Sequence, residues 1–195
     1  MSETSEQKSA TRERILQCAR RLFNRRGFVE VSIDEVMAEA GLTRGGFYYY
    51  FTSKEDLYAE AILQFARNDP PEGWRTVGGD PSDGRDGLAR SIVNAYLSRD
   101  HLDDRDGSCP MVGLPSDTAR ATRSARAAFQ QVVEMMVGAF ESSVGPSADP
   151  PRERALALVA LCVGGMVLAR AVAANGLAEE LRGAAHRQAL RALDR

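Results

Sequence analysis

The chain has 195 residues, of which 27% are charged, and a formal net charge of −2. This length suffices for one large hydrophobic core or two small ones, and the near-neutral balance does not by itself indicate an anionic partner. Three cysteines, odd in number and far apart, argue against a disulfide framework and favour a reducing compartment. The polar N-terminus carries no apolar signal segment, so we expect a cytoplasmic protein.

The first helix is predicted from about Ser9 to Arg26, after a polar segment, residues 1–8, that we expect to be disordered. Ile15 and Phe23 belong to its apolar face. Gly27 is expected to end it.

A short helix, a turn and a second helix are predicted within residues 32–51. Ser32 and Glu35 have the S-x-x-E spacing of a capping box, in which each side chain satisfies a free backbone N–H. Gly41 suits the left-handed conformation that ends a helix. Thr43 is a favourable N-cap for the second helix.

The second helix of this motif has an unusual composition. It begins Arg44-Gly45-Gly46, although each glycine costs a helix roughly 1 kcal/mol relative to alanine. Five consecutive aromatic residues, 47–51, follow, and only about one per turn can face a core. No acidic residue lies between Gly41 and Ser53, so the segment permits close approach of an anionic backbone. The alternative is a helical hairpin with surface tyrosines, which leaves the glycines unexplained.

The rest of the chain also predicts helices, and strand signals are weak throughout. Including the three helices above, we predict an all-α fold of about nine helices. A Gly-, Pro- and Asp-rich loop is expected at 69–87, with Trp74 as an anchor on the core or part of a ligand pocket, and a charged loop at 99–108. The further helices are predicted at 54–68, 88–98, 121–143, 152–174 and 177–193, with a short helix or an irregular turn at 109–120.

The helix predicted at 152–174 is apolar on nearly all sides. Its longest uncharged run, Ala155–Ala169, is shorter than the roughly 20 residues that a membrane span needs, so we expect a buried helix and no membrane association. A helix that is apolar on all sides must pack against other elements on all sides, and in a small chain a second subunit can supply part of this packing. Gly164 and Gly165 would allow close helix contact. The alternative is an ordinary core helix of a monomer.

No enzymatic motif is present in the sequence. His101 and His186 are the only histidines, and none of C-x-x-C, H-E-x-x-H, G-x-S-x-G or a phosphate-binding loop occurs. We therefore expect neither enzymatic activity nor a metal or cofactor. A helical enzyme that uses scattered carboxylates is the alternative that the sequence leaves open.

The run GLTRGGFYYYFTSKEDL resembles the signature of TetR-type (TetR/AcrR) transcriptional repressors, and the resemblance extends from about Thr11 to Leu57. It implies a helix-turn-helix DNA-binding domain at residues 9–56 and a helical regulatory and dimerisation domain at residues 57–195. It also implies a homodimer through helices 152–174 and 177–193, packed as a four-helix bundle.

The function implied by this resemblance is sequence-specific binding of double-stranded DNA that represses transcription. Two copies would recognise a palindromic operator. A small-molecule effector or an electrophile would release the protein from this operator by moving the helix at 54–68. The alternative is a helical ligand-binding or scaffold protein without DNA binding, which salt-dependent duplex binding would exclude.

Residue roles follow from the same resemblance. Family members often carry Thr or Ser where this chain has Gly46, so the chain departs from the family pattern at that position. The implied contacts are Tyr48 and Lys54 with phosphates, Ser32 and Thr43 with the backbone beside their helix caps, Arg44, Gly45, Gly46 and Tyr49 with base edges, and Tyr50 near the backbone.

The effector pocket is expected between the helices at 88–98, 109–120 and 121–143. Cys109 precedes Pro110, which suits a first helical position, and a helix start favours the thiolate. Cys109 is therefore either a sensor of electrophiles or a buried packing residue. The candidate pocket residues are Tyr96, Cys109, Met111, Phe129, Val133 and Met136.

Overall fold

The computed structural model describes residues 5–67, 85–145, 147, 149–172 and 176–194. Within these residues the chain forms ten α-helices, one 3₁₀ helix and no strand, which confirms the all-α prediction. The α-helices are α1 (Ser5–Glu30), α2 (Ile33–Glu39), α3 (Lys54–Arg67), α4 (Arg85–Tyr96), α5 (Arg99–Asp103), α6 (Pro110–Gly113), α7 (Pro115–Arg120), α8 (Arg123–Glu141), α9 (Pro151–Ala171) and α10 (Gly176–Leu193). The 3₁₀ helix, Arg44–Tyr49, lies between α2 and α3.

These helices form two compact units. Residues 1–67 and 105–131 make up the first unit, and residues 68–104 and 132–195 make up the second. The domain boundary predicted between residues 56 and 57 falls inside α3, which belongs entirely to the first unit. The two-domain division itself stays a prediction.

Two local predictions are wrong. α1 already begins at Ser5, so residues 5–8 are helical rather than disordered. The charged loop predicted at 99–108 contains α5, because the Ser98 hydroxyl accepts a hydrogen bond from the His101 N–H at 3.0 Å and caps a short helix. The loop predicted at 69–87 lies outside the described residues up to position 84, and its remaining three residues belong to α4.

The core of the first unit is built on one face of α1. Gly27 adopts a positive φ of 78° and kinks the helix, so that the ring of Phe28 turns back towards Phe23. Both rings pack on Tyr58 of α3, with centroids 5.1 Å away for Phe23 and 4.8 Å for Phe28. The predicted glycine break is therefore present as a kink that completes an aromatic cluster.

The second unit is held by the close packing of α9 against α10. A methyl group placed at Gly165 would collide with the Cβ of Ala185, so a side chain at this position has no room. Arg154 is buried and donates to the carbonyls of Gly145, at 2.7 Å, and Ala192, at 3.1 Å. These bonds satisfy carbonyls near two helix ends.

One side of this helix pair remains exposed within the single chain, so burial of the predicted helix on all sides would require a second subunit. We give the name apolar strip to four exposed or half-buried residues that share one face of α9 at helical spacing, together with Leu177 in the first turn of α10; the four are Leu156, Ala160, Gly164 and Leu168. By length and composition alone α9 could also span a membrane, but core helices of soluble proteins pass the same test. Its first turn carries Arg152, Glu153 and Arg154.

Candidate nucleic-acid interface

The start of α2 is fixed by the predicted capping box. The Ser32 hydroxyl accepts from the Glu35 N–H at 3.2 Å, and the Glu35 carboxylate accepts from the Ser32 N–H at 2.8 Å. Arg26 of α1 donates to the same carboxylate at 2.6 Å. The Ser32 N–H first, and Arg26 second, lower the pKa of Glu35 to about 2.

The turn after α2 is a Schellman motif. Gly41 has a φ of 69°, as predicted, and its N–H donates to the Ala38 carbonyl at 2.9 Å. The Leu42 N–H donates to the Met37 carbonyl at 2.8 Å. This pattern of hydrogen bonds sets the direction in which the chain enters the next helix.

The next helix is 3₁₀ rather than α, and it divides its aromatic residues between core and surface. Phe47 and Phe51 are buried, with stacked rings 5.8 Å apart. Tyr48 and Tyr49 are 65% and 57% exposed. Thr43 occupies the predicted N-cap position but makes no side-chain cap hydrogen bond. Two exposed phenolic side chains thus lie beside a helix start.

The fold requires neither glycine of this helix. A methyl at Gly45 would meet nothing within 4 Å, and one at Gly46 would make an ordinary 3.7 Å contact with the Met37 methyl. Neither glycine has a positive φ. We call the surface formed by Arg44, Gly45, Gly46, Tyr48 and Tyr49 the glycine–tyrosine face.

Charged side chains border this face, and the sequence did not reveal how they pair. Arg44 forms an exposed ion pair with Asp34 at 2.6 Å. Lys54 lies 4.3 Å from the centroid of the Phe28 ring and 3.5 Å from the Val29 carbonyl oxygen, and burial lowers its pKa. The pairing of Arg44 joins residues ten positions apart, which helical spacing alone does not predict.

A segment distant in sequence is hydrogen-bonded to these helices within the first unit. Asn24 of α1 donates to the Ser108 carbonyl at 2.7 Å, and the Phe28 N–H donates to the Asp117 carboxylate at 2.7 Å. The hydroxyls of Tyr58 and Thr118 are 3.1 Å apart and buried. Residues 106–118 are therefore tied to α1 and α3, a link that no sequence signal had indicated.

The six predicted pocket residues divide between the two units. Cys109, Met111 and Phe129 belong to the first, whereas Tyr96, Val133 and Met136 belong to the second. The effector pocket stays a prediction.

Cys109 precedes α6 at the predicted cap position but is buried, with 2% of its surface exposed. A groove of about 400 Å³ in the second unit contains none of the predicted pocket residues. It is lined by Asp149, Glu153, Arg154, Ala157, Leu161, Gln188, Arg191 and Ala192.

The capped helix, the Schellman turn and the exposed second helix define a helix-turn-helix protein. Residues 15–61 match the sequence model of a family described as bacterial regulatory proteins, tetR family. The matched residues comprise the helix-turn-helix and parts of α1 and α3.

Two curated relatives are similar to the N-terminal segment. The uncharacterized HTH-type transcriptional regulator YdgC of Bacillus subtilis (strain 168) is 42% identical over 55 residues, which is 28% of either chain. The HTH-type transcriptional regulator AcrR of Shigella flexneri is 40% identical over 57 residues, which is 29% of this chain and 26% of AcrR. The chain thus aligns with less than a third of each relative.

The similarity of folds extends much further. The crystal structure of the reduced form of E. coli NemR superposes with a TM-score of 0.76 and covers 93% of this chain and 96% of that one. Its sequence is 18% identical, so the comparison establishes a shared fold along nearly the whole chain.

Proposed function

We propose that this protein is a transcriptional repressor that binds a palindromic duplex DNA sequence as a homodimer and is released by a small molecule. The observation that carries the proposal is the glycine–tyrosine face. Its glycines are not required by the fold, its tyrosines are exposed, and its own segment contains no carboxylate. An anionic backbone that comes close to the helix explains all three features.

Each residue of the face then has a role. Tyr48 and Lys54 would contact phosphates, which position the protein without reading sequence. Arg44 and Tyr49 would reach base edges across the two glycines, and a bidentate Arg44–guanine contact would replace the Asp34 ion pair. Backbone contacts are proposed for Ser32, Thr43 and Tyr50.

The homodimer would form through the apolar strip. Its exposed leucines lie on α9 and α10, the two helices that the sequence indicated for dimerisation. A second copy would cover these side chains and remove apolar area from water. Two glycine–tyrosine faces would then enter successive major grooves, as in other helix-turn-helix dimers.

Release would act through residues 106–118. A ligand that prefers a different arrangement of this segment would shift α1 and α3 through the hydrogen bonds of Asn24, Asp117 and Thr118. The ligand changes DNA affinity only if it binds the released state more tightly than the DNA-binding state. The burial of Cys109 favours a non-covalent effector over an electrophile. We further propose that the protein acts in the cytoplasm and catalyses no reaction.

Selection of bound duplexes from a random DNA pool tests the proposal directly. We expect two inverted half-sites and an affinity that falls steeply as salt rises. Tyr48→Ala should weaken binding to every duplex, whereas Arg44→Ala should relax base preference at one position by about 1–3 kcal/mol. Salt-independent binding, or none, would instead support the alternative of a helical scaffold or ligand-binding protein.

A further inference from the structure

Lys8, in the first turns of α1, lies against the glycine–tyrosine face although it is 41 positions away from Tyr49. Its ammonium nitrogen is 4.0 Å from the centroid of the Tyr49 ring. Such a cation–π contact is a weak electrostatic attraction that favours one position of a flexible side chain. The contact places a positive charge next to an exposed tyrosine.

Within the described ranges, Lys8 lacks the carboxylate partner that several arginines around the same helices have. Arg21, Arg26 and Arg44 each have a carboxylate partner, namely Glu39, Glu35 and Asp34. In the part of the chain that the structure describes, no carboxylate oxygen lies within the 4.0 Å of an ion pair from Lys8, and its side chain is exposed. The tyrosine ring occupies one side of the ammonium group and leaves the N–H donors on the other side able to bind another acceptor.

We propose that Lys8 is a phosphate-contacting residue of the DNA surface, held in place by Tyr49. The inference rests on the proposed DNA-binding function and extends it to α1, outside the helix-turn-helix. An ammonium group is a point charge that contributes affinity and no base preference. Lys8 should therefore affect how salt weakens binding and leave the selected sequence unchanged.

The salt dependence of binding provides the test. The selected duplex is titrated with the parent protein, Lys8→Gln and Lys8→Arg at salt concentrations from about 50 to about 200 mM. Each phosphate contact contributes about 0.9 to the steepness with which log K falls against log salt. The affinity advantage of the parent over Lys8→Gln should shrink about 3.5-fold per lost contact across that range. Lys8→Arg should retain the parent slope.

Variants at Arg123 and Tyr49 test whether the change in salt slope depends on the position of Lys8 beside Tyr49. Arg123→Gln removes an exposed positive charge from α8 and controls for net charge; it should leave the slope unchanged. Tyr49→Phe keeps the ring and should preserve the change in salt slope that Lys8→Gln produces, whereas Tyr49→Leu should reduce that change. Circular dichroism would verify that each variant folds.

The outcomes separate this inference from the proposed function. If the parent binds DNA and Lys8→Gln has the same slope, the inference is overturned and the DNA-binding proposal stands. An equal loss of affinity at every salt concentration would also overturn it, because Lys8 would then act only by orienting Tyr49. A parent without salt-dependent binding would remove both proposals.

Discussion

Among the described residues, two glycine pairs lie on helices, Gly45-Gly46 and Gly164-Gly165, and the structure uses them differently. Gly165 is required by the packing of α9, because Ala185 of α10 occupies the space that a side chain would need. A methyl group placed at Gly164, next to it, would meet nothing within 4 Å, and the same is true of Gly45. Only one of these four residues is therefore explained by contacts within its own unit.

This difference shows that a helical glycine can make room either for a group of the same chain or for a group of another molecule. Both pairs carry the helix-propensity cost, so both need a compensating close approach. For Gly165 the approaching group is present in the same unit. For Gly45 and Gly164 it would come from outside, and we propose DNA for the first and a second copy of the chain for the other.

The largest expected effect concerns the apolar strip. Leu168→Glu should convert the dimer to a monomer, because it would bury a charge in an apolar interface. Operator affinity should fall at least about 100-fold, since two linked half-sites gain 10²–10⁴ over one. Analytical ultracentrifugation and DNA titration measure the two effects.

A matched exposed leucine provides the control for that variant. Leu88 of α4 is 47% exposed, against 53% for Leu168, and lies outside the apolar strip. Leu88→Glu should remain dimeric. A parent that sediments as a monomer at micromolar concentration would contradict the assembly that we propose.

The second prediction compares the two neighbouring glycines of α9. Gly165→Ala should lower the free energy of unfolding by about 1–3 kcal/mol through overpacking against Ala185. Gly164→Ala meets no atom of its own chain and should not destabilise the subunit fold. Chemical denaturation in the Leu168→Glu background isolates the subunit, and equal losses for the two variants would refute the distinction.

The third prediction concerns Gly45. Gly45→Leu should weaken operator binding about tenfold or more, which corresponds to about 1.4 kcal/mol, because the side chain would hold the DNA away from the helix. The unfolding free energy should not fall, since the space around Gly45 is open. Gly138 of α8 has equally open surroundings, so Gly138→Leu is the control and should bind like the parent.

The smallest effect is expected from pH at the start of α2. Glu35 binds its proton at about pH 4.5 when unfolded but only at about pH 2 when folded. Its contribution to stability is therefore complete above pH 4.5 and is lost as the pH falls towards 2. The thermal midpoint of Glu35→Gln should vary less over this range than that of the parent; identical pH profiles would argue against the shift.

The sequence alone determined the local structure of the helix-turn-helix. The capping box at Ser32 and Glu35 and the left-handed Gly41 depend on hydrogen bonds and backbone angles within a few residues, so spacing and residue type suffice to predict them. The all-α class and the resemblance to TetR-type regulators followed from the same local signals. Prediction of the second helix failed in its type, 3₁₀ instead of α, and in its cap, because the Thr43 side chain makes no cap hydrogen bond.

Only the tertiary structure decided which groups lie together across long separations. The contacts of Lys8 with Tyr49, of Arg44 with Asp34 and of Asp117 with Phe28 join residues whose proximity depends on how whole helices pack. Burial is non-local in the same way. Cys109 follows a charged segment in the sequence yet is buried, and α9 is apolar on nearly all sides yet exposes one of them within its own chain, because neighbouring helices rather than residue type decide which surface meets water.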